Sequence, residues 1–453
     1  MDIKDSKAVQ KLSLALSIAT DYSDDLQDKD VKFKVFHNYL EQNFPLFHEK
    51  VSKEVVREYA LMYKWESAKN VDKSLPFALL AHMDVVGIEE GTENDWKYPP
   101  FSGTVADEYI WGRGALDDKG SLVGILEAAE KLISENYEPD RDIYFCFSYN
   151  EEGVGKGDES GAQAIATLLE ERDVRFEFVL DEGGAVITDS FMGLTKPIAT
   201  IGLAEKGCVD LKISVTDSGG HSSTPPNDTT ITKLADLIVN YKEINDKNIV
   251  FTDTLLSTLK AIGNNIQGFS GYVLRHPTFF NSFVKRQLLK DNQTAAMIRT
   301  SVAPTVLRAG KENNVLPQKA EAVVNIRIIP GEDTSTIESR IRDAAGVDTS
   351  YTLEYLSNSE PLPETPGNTE TYKLLSKLTQ EIHGAIPLPY LVVALTDSRE
   401  YKNISNEIYR FCPVSMSLEE LSTIHSTNER VKVNSYLEEI EFYKRFIEES
   451  GKR

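Results

Sequence analysis

The sequence is poor in cysteine and has no long apolar run. Its three cysteines, Cys146, Cys208 and Cys412, are scattered and form no C-x-x-C pair. The odd count and the spacing argue against a disulfide framework or a thiolate metal cage, so a reducing compartment is expected. Because no stretch of about 18 consecutive apolar residues occurs, no membrane-spanning helix is expected either.

Basic residues are also scarce relative to acidic ones. Lysine and arginine together number 49, aspartate and glutamate 71, and the formal net charge is -22. This charge argues against a nucleic-acid backbone or an anionic membrane as a partner, and it suits cations. The first 25 residues contain no uninterrupted apolar core. No signal peptide is therefore expected, and the sequence predicts a cytoplasmic protein.

With 453 residues, the chain is long enough for two domains or for one domain with a large insertion. From about residue 31 to 210, short apolar runs alternate with longer helical patterns, as in FALLAHMDVVG, SLVGILEAAEKLISE and DIYFCFSYNEEG. This βαβα pattern predicts an α/β fold with a mainly parallel sheet flanked by helices. In such sheets the carboxyl ends of the strands carry the ligand site.

The pattern changes between about 205 and 360. VDLKISVTD and AEAVVNIRIIPG alternate apolar and polar residues, as strands with one face in water do, and TTITKLADLIVNYKEI is typical of an amphipathic helix. The stretch NSEPLPETPGNTE then predicts a linker, after which apolar runs resume. The sequence thus predicts a discontinuous first domain, residues 1–204 and 362–453, with an α+β domain, residues 205–361, inserted into it.

Polar residues follow several of the predicted strands. His82 and Asp84 end a buried run and point to the same face, as expected for a metal ligand and a carboxylate that orients it. Glu151 and Glu152 end another run and point different ways, so one can bind metal while the other acts as a general base. The alternatives are a hydrogen-bonded core histidine and ordinary surface glutamates.

Three further acids and a histidine complete the candidate cluster. Asp117 and Asp118 lie in the Gly-rich loop WGRGALDDKGS, which can also be a turn with an N-cap aspartate. Asp181 ends the run FVLD, and His425 lies near the C-terminus in STIHSTNERV. Because these strand ends share one rim, we expect the side chains to converge. Imidazoles with carboxylates suit zinc, with cobalt or manganese as possible substitutes.

The motifs together resemble the di-zinc exopeptidases and amidohydrolases that include aminoacylase, glutamate carboxypeptidase and carnosine dipeptidase. The resemblance covers nearly the whole chain and is strongest to the branch of carboxypeptidase S (Gly-Xaa carboxypeptidase) and the N-acyl-amino-acid hydrolases. It is carried by IWGRGALDDKGS, LDEGG, GGHSSTPP, NNVLP, TDSREY and YRFCP. It implies a zinc exopeptidase type of fold in which the inserted domain is a lid.

The resemblance also implies a ligand set for two zinc ions. One ion would be bound by His82, Asp117 and Asp181, and the other by Asp117, Glu152 and His425. Asp117 would therefore bridge the ions, and the peptide bond after it would be cis.

The remaining roles are implied in the same way. Asp84 would orient His82, and Glu151 would be the general base that activates the attacking water. His221 would donate to the scissile carbonyl, and Arg327, assisted by Asn314, would bind the carboxylate of the substrate. Without the resemblance, the alternatives are that His221 is a Gly-flanked turn histidine and that Arg327 is a strand residue facing solvent.

Two positions depart from this branch. Tyr149-Asn150 precede the paired glutamates where a His or Asp is usual, and Glu400 replaces a common histidine in TDSREY. Neither is a predicted ligand, so the substrate preference is in question rather than the chemistry.

The predicted function is zinc-dependent hydrolysis of a peptide or N-acyl amide bond next to a C-terminal amino acid. The substrates would be short peptides or N-acyl amino acids. The alternatives are a dipeptidase or aminopeptidase that requires a free amine, and a non-catalytic binding protein on the same scaffold. A homodimer through the lid and a self-sufficient monomer both remain open.

Overall fold

The computed structural model describes residues 6–21, 26–67, 74–153, 160–191, 193–346 and 350–452. The helices are Lys7–Leu16 (α1), Leu26–Asn43 (α2), Pro45–Lys50 (α3), Lys119–Ser134 (α4), Gly161–Glu171 (α5), Thr230–Lys247 (α6), Asp253–Asn265 (α7), Gly268–Arg275 (α8), Asn281–Leu288 (α9), Asn292–Ala296 (α10), Thr334–Ala345 (α11), Glu370–His383 (α12), Leu418–Leu421 (α13) and Val433–Gly451 (α14). The strands are Ser52–Val56 (β1), Ala60–Trp65 (β2), Phe77–His82 (β3), Thr104–Ala106 (β4), Tyr109–Trp111 (β5), Ile143–Ser148 (β6), Val179–Ile187 (β7), Ile198–Glu205 (β8), Gly207–Thr216 (β9), Gly220–His221 (β10), Ser301–Ala309 (β11), Val315–Leu316 (β12), Lys319–Ile328 (β13), Tyr351–Ser359 (β14), Ile386–Val392 (β15), Ile408–Met416 (β16) and Arg430–Lys432 (β17).

The chain divides into two compact units. The first comprises 1–203, 365–390 and 396–453, and the second comprises 204–364 and 391–395. The sequence-based prediction had placed an insertion at 205–361. None of the helices in the described ranges combines the length and the apolar character needed to cross a membrane.

The large sheet has the strand order β1-β2-β6-β3-β7-β16-β8-β15. Its four central strands, β6, β3, β7 and β16, run parallel, whereas β1 with β2, β2 with β6 and β16 with β8 pair antiparallel. Every residue of β3 and β6 is buried, as expected for strands covered on both faces. Helices α4 and α14 pack against each other on this sheet. The predicted α/β fold with a mainly parallel sheet flanked by helices is confirmed.

The parallel register brings the strand ends to one edge. His82, the last residue of β3, pairs with Ser148, the last residue of β6. β7 runs parallel to β3 and carries Asp181 in the same direction. Polar residues that follow these strands therefore meet at the carboxyl edge of the sheet.

The second unit contains a four-stranded antiparallel sheet with the order β11-β13-β9-β14. Alternate residues of β13 are buried, and they pack with residues of β9, α6 and α11 in one apolar core. Residues of α7, α8 and α9 form a smaller core of their own together with Ile298. This is the segment near 245–300 whose packing the sequence did not predict.

Candidate metal centre

Asp117 lies between two histidines. Its Oδ1 is 2.9 Å from Nε2 of His82, and its Oδ2 is 3.0 Å from Nε2 of His425. His425 belongs to the segment between α13 and β17 and has a positive φ of 60°, which is uncommon outside glycine and is often found at functional sites. Three residues predicted from the sequence as ligands are thus brought to one point.

The paired glutamates lie beside the same histidines. Glu152 Oε1 is 2.9 Å from Nε2 of His425. Glu152, Asp117 and His425 form a group whose ligand atoms lie within 4.8 Å of one another, and Glu151 joins a second such group with His82 and Glu152. Glu152 therefore belongs to both groups, whereas Glu151 belongs to only one of them.

Asp84 connects His82 to the glutamate turn. Nδ1 of His82 lies 2.9 Å from the backbone oxygen of Asp84, so the ring donates from Nδ1 and can bind a cation through Nε2. The Asp84 carboxylate is 3.5 Å from Nδ1 through Oδ1, and its Oδ2 accepts the backbone N–H of Glu152 at 3.0 Å. The shorter contact to the ring is thus made by the Asp84 carbonyl.

Asp181 and Glu182 have different surroundings. The Asp181 carboxylate is buried and accepts the backbone N–H of Ser398 through Oδ2 at 2.7 Å. Glu182 Oε1 lies 4.0 Å from Nε2 of His82, and Glu182 forms a group with His82 and Asp117 whose ligand atoms lie within 4.8 Å. Among the described residues, Asp181 belongs to no such group. Sequence reasoning did not select Glu182.

A break in register directly after Asp181 accompanies this difference. Asp181 pairs with Arg410, but the next pair joins Gly184 to Phe411, so two residues of β7 have no partner on β16. A bulge of this kind changes where a side chain points. Regular pleating puts Asp181 and Glu182 on opposite faces, and the register break lies at the point where the second acid approaches His82.

A buried carboxylate holds the loop that carries Asp117. Glu429 Oε1 accepts the backbone N–H groups of Gly114, Leu116 and Asp117 at 3.1, 2.9 and 3.2 Å, and Oε2 accepts from Nη1 of Arg113 at 2.6 Å. The peptide bond after Asp117 is cis, as the resemblance implied. Sequence reasoning missed Glu429, whose signal was its position four residues after the predicted histidine ligand.

Neighbouring carboxylates raise the pKa of both histidines of the cluster. Burial lowers the pKa of His82, but Asp117 and Asp84 outweigh burial and raise that pKa well above its usual value. Asp117 and Glu152 raise the pKa of His425 to about 10. Burial acts upward on Asp117, yet the two imidazoles hold the pKa of this carboxyl well below its usual range.

For Glu151 and Glu182, burial and the neighbouring acids outweigh the opposing charge of His82 and raise the pKa. Burial, with the negative charges of Asp397, Glu152 and Asp117, raises the pKa of Glu151 well above its usual value. Burial and neighbouring acids raise the pKa of Glu182 in the same way. A divalent cation relieves such crowding because it replaces protons as the counter-charge. The oxygen and imidazole donors fit a metal of the zinc type.

The segment TDSREY contributes a further acid near the cluster. It forms a 3₁₀ helix, Asp397–Asn403, in which Asp397 is buried and accepts from the hydroxyl of Ser148. Burial and the negative charge of Asp181 raise the pKa of Asp397 to about 8. Glu400 is half-buried in the same helix, and its effect on substrate preference stays a prediction.

His221 and Asn314 are neighbours in the second unit. β10 pairs with β12, His221 lies opposite Val315, and the backbone N–H of Ser222 donates to the carbonyl of Asn314 at 3.1 Å. Nδ1 of His221 accepts the backbone N–H of Ser223 at 3.1 Å. The neutral ring therefore carries its proton on Nε2, where the proton is available to a ligand.

Arg327 lies on β13 in the same unit. Its side chain is half-buried, and Nε donates to Oδ1 of Asn325 at 3.2 Å. Burial, followed by the positive charges of Arg299 and Arg327, lowers the pKa of Lys206 to about 7. Three cationic side chains therefore lie close together, and the sequence reasoning had identified only Arg327.

Comparisons with known proteins find similar chains over nearly the whole length. The chain is 33% identical over 455 residues to a probable carboxypeptidase S-like 2 of Dictyostelium discoideum, covering all of this chain and 86% of that protein. It is 34% identical over 420 residues to the N-fatty-acyl-amino acid synthase/hydrolase PM20D1 of Mus musculus, covering 91% and 82%.

The fold has solved counterparts. The M20 family metallo-carboxypeptidase Sso-CP2 of Sulfolobus solfataricus matches with a TM-score of 0.67 at 18% identity, over 98% of this chain and 99% of that one. The sequence model of peptidase family M20/M25/M40 matches residues 78–449. The predicted relationship to the aminoacylase and carboxypeptidase S group is confirmed, and the chain belongs to peptidase family M20/M25/M40.

Proposed function

We propose that this chain is a two-zinc hydrolase that cleaves a peptide or N-acyl amide bond next to a C-terminal amino acid. The observation that carries the proposal is the position of Asp117, with Oδ1 facing Nε2 of His82 and Oδ2 facing Nε2 of His425. A carboxylate with one oxygen facing each position suits a two-metal hydrolase, whose metal ions lie close together. The carboxypeptidase and N-acyl-amino-acid hydrolase names of the relatives support the same reaction.

The proposed ligands follow from the three groups that share these atoms. One zinc would be held by His82, Asp117 and Glu182, and the other by Asp117, Glu152 and His425. Asp181, which the resemblance had suggested for the first ion, stays a prediction that competes with Glu182. When bound, the metal ions would polarise the substrate carbonyl and lower the pKa of water. Cobalt or manganese would be possible substitutes.

Glu151 would move the proton in this reaction. It lies with His82 and Glu152 in one group, yet it is not needed to complete either proposed ligand set. Its carboxylate would accept a proton from the attacking water and later deliver it to the leaving nitrogen.

His221 and Arg327 would bind the substrate. The proton on Nε2 of His221 would donate to the oxygen of the scissile carbonyl, with Asn314 beside it. Arg327 would take the free carboxylate in a bidentate pair, and the positive charge of Arg299 nearby favours an anion there.

Whether the enzyme recognises a free carboxylate or a free amine is tested by removing the carboxylate charge from the substrate and the arginine charge from the protein. Gly-Leu, N-acetyl-leucine and their C-terminal amides would be offered to the wild type, to Arg327→Ala and to Arg308→Ala as a matched control on exposed strand β11. Arg327→Ala should lower kcat/KM about 10- to 100-fold on the acids and little on the amides, as a charge-assisted pair requires. If the wild type cleaves amides as readily as acids and requires a free amine, the aminopeptidase alternative replaces this proposal.

We also propose a cytoplasmic location, and the oligomeric state is open to measurement. The three cysteines are free and buried, which fits the reducing cytoplasm. Light scattering on the purified protein would decide between a homodimer and a monomer, and cell fractionation would test the location.

A further inference from the structure

The segment α8–α9 of the second unit presents an unusual set of exposed aromatic rings. Phe279 is 84% exposed, Phe269 71%, Phe283 50% and Tyr272 49%. The rings of Phe269, Tyr272 and Phe279 contact the ring of Phe280 at centroid distances of 6.1, 5.9 and 4.9 Å. Single exposed apolar residues are common, but a connected aromatic cluster indicates an interaction surface.

The orientation of these rings follows from the packing of the two helices. Val273, Val284 and Leu288 face the small core that α8 and α9 share with α7. With that core occupied, the opposite sides of both helices remain in water. Phe269 and Tyr272 are three residues apart on α8 and share an outward face. Phe279 lies in the turn before α9, and Phe283 lies on α9 itself.

The charge of the segment is opposite to that of the whole chain. Between Asp253 and Asp291 there is no acidic residue, although the chain carries a net charge of -22. Arg286 follows Phe283 by three residues on α9, Lys290 lies just after the end of this helix, and both are exposed. Neither forms a salt bridge with any residue that the structure describes.

We infer that this aromatic–basic surface, Phe269, Tyr272, Phe279, Phe283, Arg286 and Lys290, docks the protein on an anionic lipid membrane. Aromatic rings beside lysine and arginine are the composition with which peripheral proteins enter the headgroup region of a bilayer. The positive charge favours an anionic surface over a neutral one. The overall acidity of the chain, which argues against such a partner, does not apply to this segment.

The inference is tested by co-sedimentation of the full chain with vesicles. Vesicles of equal parts phosphatidylcholine and phosphatidylglycerol should bind the wild type, and pure phosphatidylcholine should bind it much less. Phe279→Ser/Phe283→Ser and, separately, Arg286→Glu/Lys290→Glu should each weaken binding roughly tenfold or more. Binding should also fall at 1 M salt, where the Debye length is about 3 Å.

Matched controls carry the same chemistry at other sites. Leu307→Ser replaces a 69% exposed apolar residue, and Lys247→Glu/Lys402→Glu reverses two exposed charges. Both should bind like the wild type, and hydrolysis of a short soluble substrate should be unchanged in all four variants. Arg286→Glu/Lys290→Glu changes only exposed side chains and leaves the small core intact. This variant therefore tests the inference even if Phe279→Ser/Phe283→Ser does not fold.

Two results overturn the inference. One is the lack of any difference between the wild type and the folded surface variants on anionic vesicles, whether all of them bind equally or none of them binds. The other is a wild type that binds no vesicles but self-associates, with the aromatic variant smaller by light scattering. That result would assign the surface to a second copy of the chain.

Discussion

Asp84 holds the backbone N–H of Glu152 through Oδ2 at 3.0 Å, while its own carbonyl accepts from the ring of His82. One residue thus positions two proposed ligands, His82 at the end of β3 and Glu152 in the turn after β6. Asp84→Asn removes the negative charge but keeps the carbonyl contact. We expect metal affinity to fall about 10- to 100-fold, as for other residues that support ligands, with the His82 tautomer unchanged. Titration with a competing chelator measures the loss, and unaltered affinity would contradict this role.

Glu151 and Glu152 should respond differently to the same substitution. Glu151→Gln should retain both metals and lose at least ~100-fold in kcat, because only the proton acceptor is removed. Glu152→Gln should lose metal as well, since Oε1 of Glu152 faces Nε2 of His425 at 2.9 Å. Metal analysis beside the kinetics separates the two outcomes. Equal metal content in both variants would contradict this division of roles.

Asp181 and Glu182 offer a direct test of two ligand assignments. Glu182→Gln should lower the metal content, whereas Asp181→Asn should keep the metal and lower thermal stability, because its carboxylate anchors the backbone of Ser398. The asparagine oxygen can still accept this N–H, so the expected cost is that of exchanging a charged acceptor for a neutral one, about 1 kcal/mol. The reverse pattern, with metal lost only from Asp181→Asn, would return the ligand role to Asp181.

Glu429 should matter for both stability and metal binding. Glu429→Gln leaves Arg113 buried without its counter-charge and weakens the hold on the backbone of Asp117. Breaking a buried ion pair in this way costs roughly 3–5 kcal/mol. Glu420→Gln is a control, because Glu420 is also buried and paired, with Lys432. Denaturant unfolding should show destabilisation in both variants, but only Glu429→Gln should lose metal affinity.

His37 gives a prediction for pH that is independent of the metal cluster. Burial, followed by the charge of Lys53, lowers the pKa of His37 to about 4, although its hydrogen bond to the Tyr59 carbonyl acts upward. The unfolded chain binds the proton first, near pH 6.5, so the stabilising effect of the neutral ring is present above that pH and is lost as the pH falls towards 4.

The difference between wild type and His37→Gln isolates this effect. The advantage of the wild type in free energy of unfolding should fall by roughly 2–3 kcal/mol between pH 7 and pH 4. Urea unfolding at several pH values measures it. A difference that stays constant with pH would show that His37 titrates alike in the folded and unfolded chain.

The sequence predicted the fold and most of the cluster because both depend on local patterns. The buried run of β3 ends at His82, that of β6 ends at Ser148 shortly before the paired glutamates, and parallel strands bring such ends together. The position of Glu182 was not predictable in this way, since it depends on a register break between strands 230 residues apart in the chain. The role of Glu429 was not predicted for the same reason, because its hydrogen-bond partner Asp117 lies 312 residues away in the chain.

Sequence patterns also did not predict the aromatic–basic surface. The sequence indicated a helical and loop-like segment near 245–300, but periodicity does not say which apolar face meets a core when two are available. Val284 is buried while Phe283 beside it is 50% exposed. Only the packing of α7 against α8 and α9 distinguishes them.

The distribution of the cluster along the chain has a consequence for biosynthesis. Synthesis on the ribosome proceeds from the N-terminus, so β3, β6 and β7 are made long before β16 and His425. A nascent chain that ends before β16 already contains His82, Asp117 and Glu182 but has neither the strand that pairs with β7 nor the second histidine. The group proposed for the second zinc, which needs His425, can therefore be completed only after the C-terminal part of the chain has been synthesised.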